Sequence, residues 1–161
     1  AYVEGDTLWL FAGHDADDAT ATGYKMTDWL AFSTTDLKHW RQHSVPLDIS
    51  AFKWSTSRQA YAGHVAKRNG KYYWYVSTNW CGIGVGVSDN IAGPWQPIGL
   101  LDDIAGNSNT THPAIVEFKG KWLYFSHNGG LPDGHSFKRS VVMKPLEYSA
   151  DGTMRLIDTK K

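Results

Sequence analysis

The sequence predicts an all-β fold built from four-stranded antiparallel blades, about three to the chain. Three observations predict it. Aromatic residues make up 14% of the sequence, with eight Trp and eight Tyr; apolar and polar residues alternate with period two; and one hairpin-like unit recurs three times, at residues 1–15, 62–79 and 114–128. Each copy runs through a Gly turn into an aromatic-rich strand. Glycine supplies the positive φ that a two-residue hairpin turn requires, so Gly5-Asp6, Gly70-Lys71 and Gly120-Lys121 are aligned as equivalent turn positions. Aligning the hairpins from their leading strings, Ala1-Tyr2-Val3-Glu4 with Ala114-Ile115-Val116-Glu117, places Ala114 opposite Ala1.

A second hairpin follows the first two copies. Phe32-Ser33-Thr34-Thr35-Asp36-Leu37-Lys38-His39-Trp40 parallels Val87-Ser88-Asp89-Asn90-Ile91-Ala92-Gly93-Pro94-Trp95, with Ser33 matched to Ser88 and Trp40 to Trp95. After the third copy, residues 137–148 and 154–157 flank the turn Ala150-Asp151-Gly152. Hairpin plus hairpin makes a blade, which places blades at about 1–48, 60–101 and 111–158 of a single domain spanning 1–161. Residues 50–59 and 102–110 are polar and read as connections, and residues 27–31 form at most a short helical turn. Two facing sheets in a sandwich are the competing architecture.

Sixteen basic residues balance sixteen acidic ones, so no global field attracts nucleic acid or an anionic membrane. The only cysteine, Cys81, excludes an internal disulfide and reads as a small buried hydrophobe. No apolar run approaches the roughly 20 residues that span a bilayer, and the first residues show no basic-then-apolar leader. The compartment stays open between secreted and cytoplasmic. The chain begins as if in mid-strand, at Ala1-Tyr2-Val3, which is read as a sign of residues upstream.

Several collinear strings resemble the family 43 glycoside hydrolases. They are Leu10-Phe11-Ala12-Gly13-His14-Asp15, residues 26–37, Ala60-Tyr61-Ala62-Gly63-His64-Val65, Ile83-Gly84-Val85-Gly86-Val87-Ser88-Asp89, Thr111-His112-Pro113-Ala114-Ile115-Val116 and Ser136-Phe137-Lys138-Arg139-Ser140-Val141. The resemblance implies a β-propeller of five blades, of which the first, second and last have counterparts here. It also implies inverting hydrolysis of arabinose- or xylose-containing glycans. Such chemistry needs a protonated acid and an ionised base about 6.5–9.5 Å apart, leaving room for a water. In the family the base Asp belongs to an Asp-Pro step on the first inner strand, which would fall just before Ala1. An Asp on the third blade and the acid Glu on the fourth have no counterpart either.

By the same resemblance His112 faces the central channel beside a calcium ion or its waters, although no cofactor is required, and Arg139 contacts the sugar. Tyr61 walls the sugar pocket and His64 lines it. From the residues alone each has a plainer reading: a hydrogen-bonded strand His, an exposed Arg, a core Tyr. His14 and the acidic run Asp15 to Asp18 could present carboxylates at the top of the first blade, or be an ordinary solvated turn. Asp15, Asp102 and Asp103 are the weak candidates for a catalytic pair. Trp29, Trp54 and Trp80 lie in or near connections as stacking platforms for a glycan, whereas Trp9, Trp74 and Trp122 alternate within strands as core. Two readings compete, a hydrolase and a catalytically silent glycan-binding propeller. A third, a protein-interaction propeller, would need exposed apolar hot spots. Three blades cannot close a ring, so a homodimer of two chains or missing segments must complete it.

Overall fold

The computed structural model describes residues 1–44, 46–55, 59–78, 82–103 and 111–157. Among them the regular structure is strand, apart from one 3-10 turn at Ile49–Ala51. Cys81 and Trp80 lie outside the described residues.

The strands form three sheets. The first contains β1 (Tyr2–Glu4), β2 (Thr7–Asp15), β3 (Met26–Thr34) and β4 (Arg41–Gln42) in that order, with β5 (Leu47–Asp48) also pairing with β3. The second runs β6 (Gly63–Arg68), β7 (Lys71–Ser77), β8 (Ile83–Ser88), β9 (Gln96–Asp102). The third runs β10 (Ala114–Phe118), β11 (Lys121–Asn128), β12 (Ser140–Tyr148), β13 (Met154–Leu156). Every pairing is antiparallel between chain neighbours, save that of β5. These are the blades the repeats predict. The helical turn expected at 27–31 is absent, because those residues lie within β3: Trp29 pairs with Gly13 and Ala31 with Phe11.

Register corrects the alignment of the repeats by one residue. The first turn is closed by Glu4 and Thr7, the second by Arg68 and Lys71, the third by Phe118 and Lys121. Gly5 is therefore the first turn residue, whereas Gly70 and Gly120 are the second, after Asn69 and Lys119, which also take positive φ. Ala114 accordingly lies one position before the equivalent of Ala1, not opposite it. The outer hairpins shift similarly. Thr34 pairs with Leu8 as Ser88 pairs with Tyr72, so Thr34, not Ser33, is the partner of Ser88, and both use their hydroxyl to accept from the turn backbone.

Strand alternation gives each sheet two faces, and the inner faces pack into two cores. Phe11, Trp29, Leu47 and Phe52 from the first sheet meet Val65, Trp74, Val76 and Trp95 from the second. Tyr73, Tyr75, Ile83 and Val85 on the opposite face of the second sheet meet Ile115, Tyr124 and Leu146 of the third. Polar groups bridge both junctions: Glu4 accepts from Lys67 and Tyr72 across the first, and the Tyr75 and Tyr148 hydroxyls bond each other across the second. The outward faces of the end sheets remain open. Val3 and Leu10 are exposed at one end, and Val116, Val141 and Met143 at the other.

Candidate functional site

Antiparallel order brings one end of all three sheets together. The end of β2, the starts of β3, β6 and β8, the end of β7, the start of β10 and the end of β11 all lie at that end. So do His14, Asp15, Tyr61, His64, Asp102, Asp103, His112 and Arg139, by their places at or beside strand ends.

The second and third sheets are joined here. The His64 Nδ1 accepts from the Ile115 backbone N–H at 2.8 Å, which leaves Nε2 as the protonated nitrogen of a neutral ring. Burial holds His64 below the ordinary histidine value, which favours that form. Thr78, just after β7, and Thr111, ahead of β10, are fully buried, and the Ser77 hydroxyl donates to the Thr111 carbonyl. His112 follows, just ahead of β10, half-buried with its ring centroid 5.5 Å from that of His127. Burial, then the neighbouring His127 and the Arg139 charge, lower the His112 pKa. The His127 Nδ1 is buried without a hydrogen-bond partner, a polar position facing this cluster from β11. Arg139 itself is exposed, with its guanidinium donors free to meet a ligand.

On the first sheet His14 Nδ1 lies 2.9 Å from Asp28 Oδ1, a dyad created by the direct cross-strand pairing of the two residues. Tyr61 stacks on Tyr24 with centroids 5.1 Å apart and planes 2° apart, and its hydroxyl donates to Gln59 at 2.9 Å. The Trp29 indole donates to the Tyr61 carbonyl at 2.6 Å.

Two expected platforms are thereby corrected. Trp29 is 1% exposed and packs against Phe52 and Trp74, so no ring face is open to a glycan. Trp54 is half-buried, its ring tilted on Phe52 and its indole N–H directed at Thr78. The candidate carboxylates do not converge either. Asp15 is exposed at the end of β2, and Asp102 ends the outermost strand of the second sheet, where it meets Lys144 of the third at 3.4 Å. Asp103 is exposed beyond it. Asp28, His127 and Tyr24 were missed by sequence reasoning. The only signal for Asp28 is its register opposite His14, which a single sequence does not display.

Chemically, the cluster offers neutral imidazoles, one guanidinium and a stacked tyrosine, a set suited to hydroxyl-rich, uncharged ligands. Among the described residues no group of three or more His, Cys, Asp or Glu side chains could hold a metal ion.

Residues 10–109 match the family model for glycosyl hydrolases family 43. The chain belongs to that family. Family relatives include a xylosidase/arabinosidase of Bacteroides ovatus, 40% identical over 62% of this chain and 30% of that protein. A β-D-galactofuranosidase of Aspergillus niger is 32% identical over 73% of this chain and 38% of its own length. The chain thus spans about a third of the curated relatives it matches. Among solved structures, a Xanthomonas citri family member complexed with xylotriose superposes with TM-score 0.70 at 24% identity, covering 92% of this chain and 52% of that one. A thermostable family-43 glycoside hydrolase gives TM-score 0.71 at 17% identity, over 98% and 56%. Both likenesses concern the fold, and they identify the three sheets as propeller-type blades. No described helix is long and apolar enough to cross a membrane.

Proposed function

We propose that this chain supplies the sugar-binding end of a glycosidase that acts on arabinose- or xylose-containing polysaccharides or oligosaccharides by inverting hydrolysis. The reading rests on the strand ends that carry His64, Tyr61, His112 and Arg139 at one end of blades of family 43 type, with His112 beside His127 and Arg139. In this role Tyr61 lines the pocket through its apolar ring, His64 and His14 donate or accept at sugar hydroxyls, and Arg139 forks onto vicinal oxygens. Relatives named xylosidase or arabinosidase support the pentose class.

A second reading keeps the same ligand and removes the chemistry. It is favoured by the engagement of the carboxylates at this end: Asp28 is bonded to His14 and Asp102 meets Lys144, while Asp15 is exposed on a different sheet from Asp102. Hydrolysis of nitrophenyl α-arabinofuranoside and β-xyloside, measured beside xylo-oligosaccharide binding, separates the two. Nitrophenol release above an Arg139→Ala control supports the hydrolase; binding with no release supports the silent form, and neither would overturn both.

A calcium ion at His112 would be held only through waters. Calcium takes six to eight oxygen ligands, and two imidazoles beside a guanidinium do not provide them, so no step is routed through a metal. The blades at 1–48, 60–101 and 111–158 are read as one domain, whose ring is completed by a second copy of the chain. The open faces at Leu10 and at Val141 and Met143 support that reading.

A further inference from the structure

At the opposite end of the first sheet, where the turn after β3 meets the start of β2, lies a cavity of about 550 Å³. Its walls include Thr7, Trp9, Ser33, Trp40, Arg41 and His43. Thr7 lies seven positions from His14 along β2, which places this corner roughly 20 Å from the His14 end.

The same corner recurs in the second sheet, and the contrast is informative. Register equates Thr7 with Lys71, Ser33 with Val87 and Arg41 with Gln96. The second copy holds about 200 Å³, and its polar groups satisfy each other, with Lys71 Nζ 2.7 Å from Asp89 Oδ1. Its tryptophan, Trp95, is buried against Trp74 and Phe11. In the first sheet the equivalent Trp40 is 43% exposed, and Arg41 has no carboxylate partner among the described residues.

The rest of the corner is rigidly arranged. The Trp9 indole stacks on the His43 ring at 4.6 Å, and the Ser33 hydroxyl lies 2.9 Å from His43 Nε2. Burial, then the Arg41 charge, keeps His43 below the ordinary value and so neutral. An open indole face, one forked cation and several hydroxyls match a ring that is apolar on one face and rich in hydroxyls at its edge. A phosphate would call for more than a single unpaired guanidinium.

We propose that this corner is a second saccharide site, distinct from the axial end, with Trp40 as its stacking platform and Arg41 as its hydrogen-bonding fork. The proposal rests on the reading that the protein handles glycans. Titration of the isotope-labelled chain with xylohexaose tests both, by following the indole N–H signals of Trp40 and of Trp29, whose donor bond to Tyr61 reports on the axial end. Both signals shift if both sites bind. Trp40→Ala then weakens retention on insoluble xylan roughly tenfold, with an unchanged melting temperature and an unchanged Trp29 response. A Trp29 shift with Trp40 silent overturns the second site and leaves the glycan reading standing. Silence from both overturns both.

Discussion

His112 concentrates the electrostatics of the axial end on one side chain. It is half-buried, and both His127 and Arg139 add positive character around it, so its neutral form is favoured. Its proton NMR titration should have a midpoint below the ordinary value of about 6.5, and Arg139→Gln should move that midpoint upward. Because the folded state depresses the pKa, the associated stability is complete above the ordinary value and is lost as pH falls from there toward the lowered one. Urea denaturation at pH 8 and at pH 5 should show the loss, and an unshifted midpoint would refute the crowding of charge around the ring. At this scale the sequence was readable for position along the strands: Tyr61, His64, His112 and Arg139 each stand at or beside a strand start. Asp28, His127 and Tyr24 were unreadable, because only register sets Asp28 against His14 and only the packing of the chain brings His127 to His112 and Tyr24 to Tyr61. Trp29 failed as a platform because β3 continues through it and turns its ring inward.

Among the elements, the junction between the second and third sheets includes one buried hydroxyl pair whose contribution can be isolated. Burial pushes the Tyr75 hydroxyl well up and that of Tyr148 to about 12, so both stay neutral and can share a hydrogen bond. Either Phe substitution strands the surviving hydroxyl in the apolar contact of Tyr73, Ile115 and Leu146, at a cost of about 1–3 kcal/mol. The double substitution removes both groups and should cost clearly less than the sum of the singles. Thermal or urea unfolding of the four proteins gives the coupling, and additivity within about 0.5 kcal/mol would mean that the bond contributes nothing. The strands themselves were legible from period two. Their register was not, because glycine serves either position of a two-residue turn, and matching Gly5 to Gly70 slips the first hairpin by one residue, which would exchange its two faces.

For the whole molecule, three repeats and their order were enough to foresee three blades, since each unit can bury its faces only against a neighbour. What covers the end faces was beyond the sequence, as no local pattern distinguishes a face awaiting a blade from one awaiting solvent. Light scattering on the purified chain should report twice the mass of one chain across the micromolar range. A folded species of single-chain mass would refute the two-copy ring.

The two open faces are not copies of one another: Val3 and Leu10 are exposed on the first sheet, and Val116, Phe118, Val141 and Met143 on the third. Any pairing between them is head-to-tail and has a direction. Such growth stops after two copies only if each sheet is turned about 60° from the last, the sixth part of a circle. A step whose threefold multiple does not divide the circle would leave a free end at every addition, and concentrated solutions would then thicken into fibres.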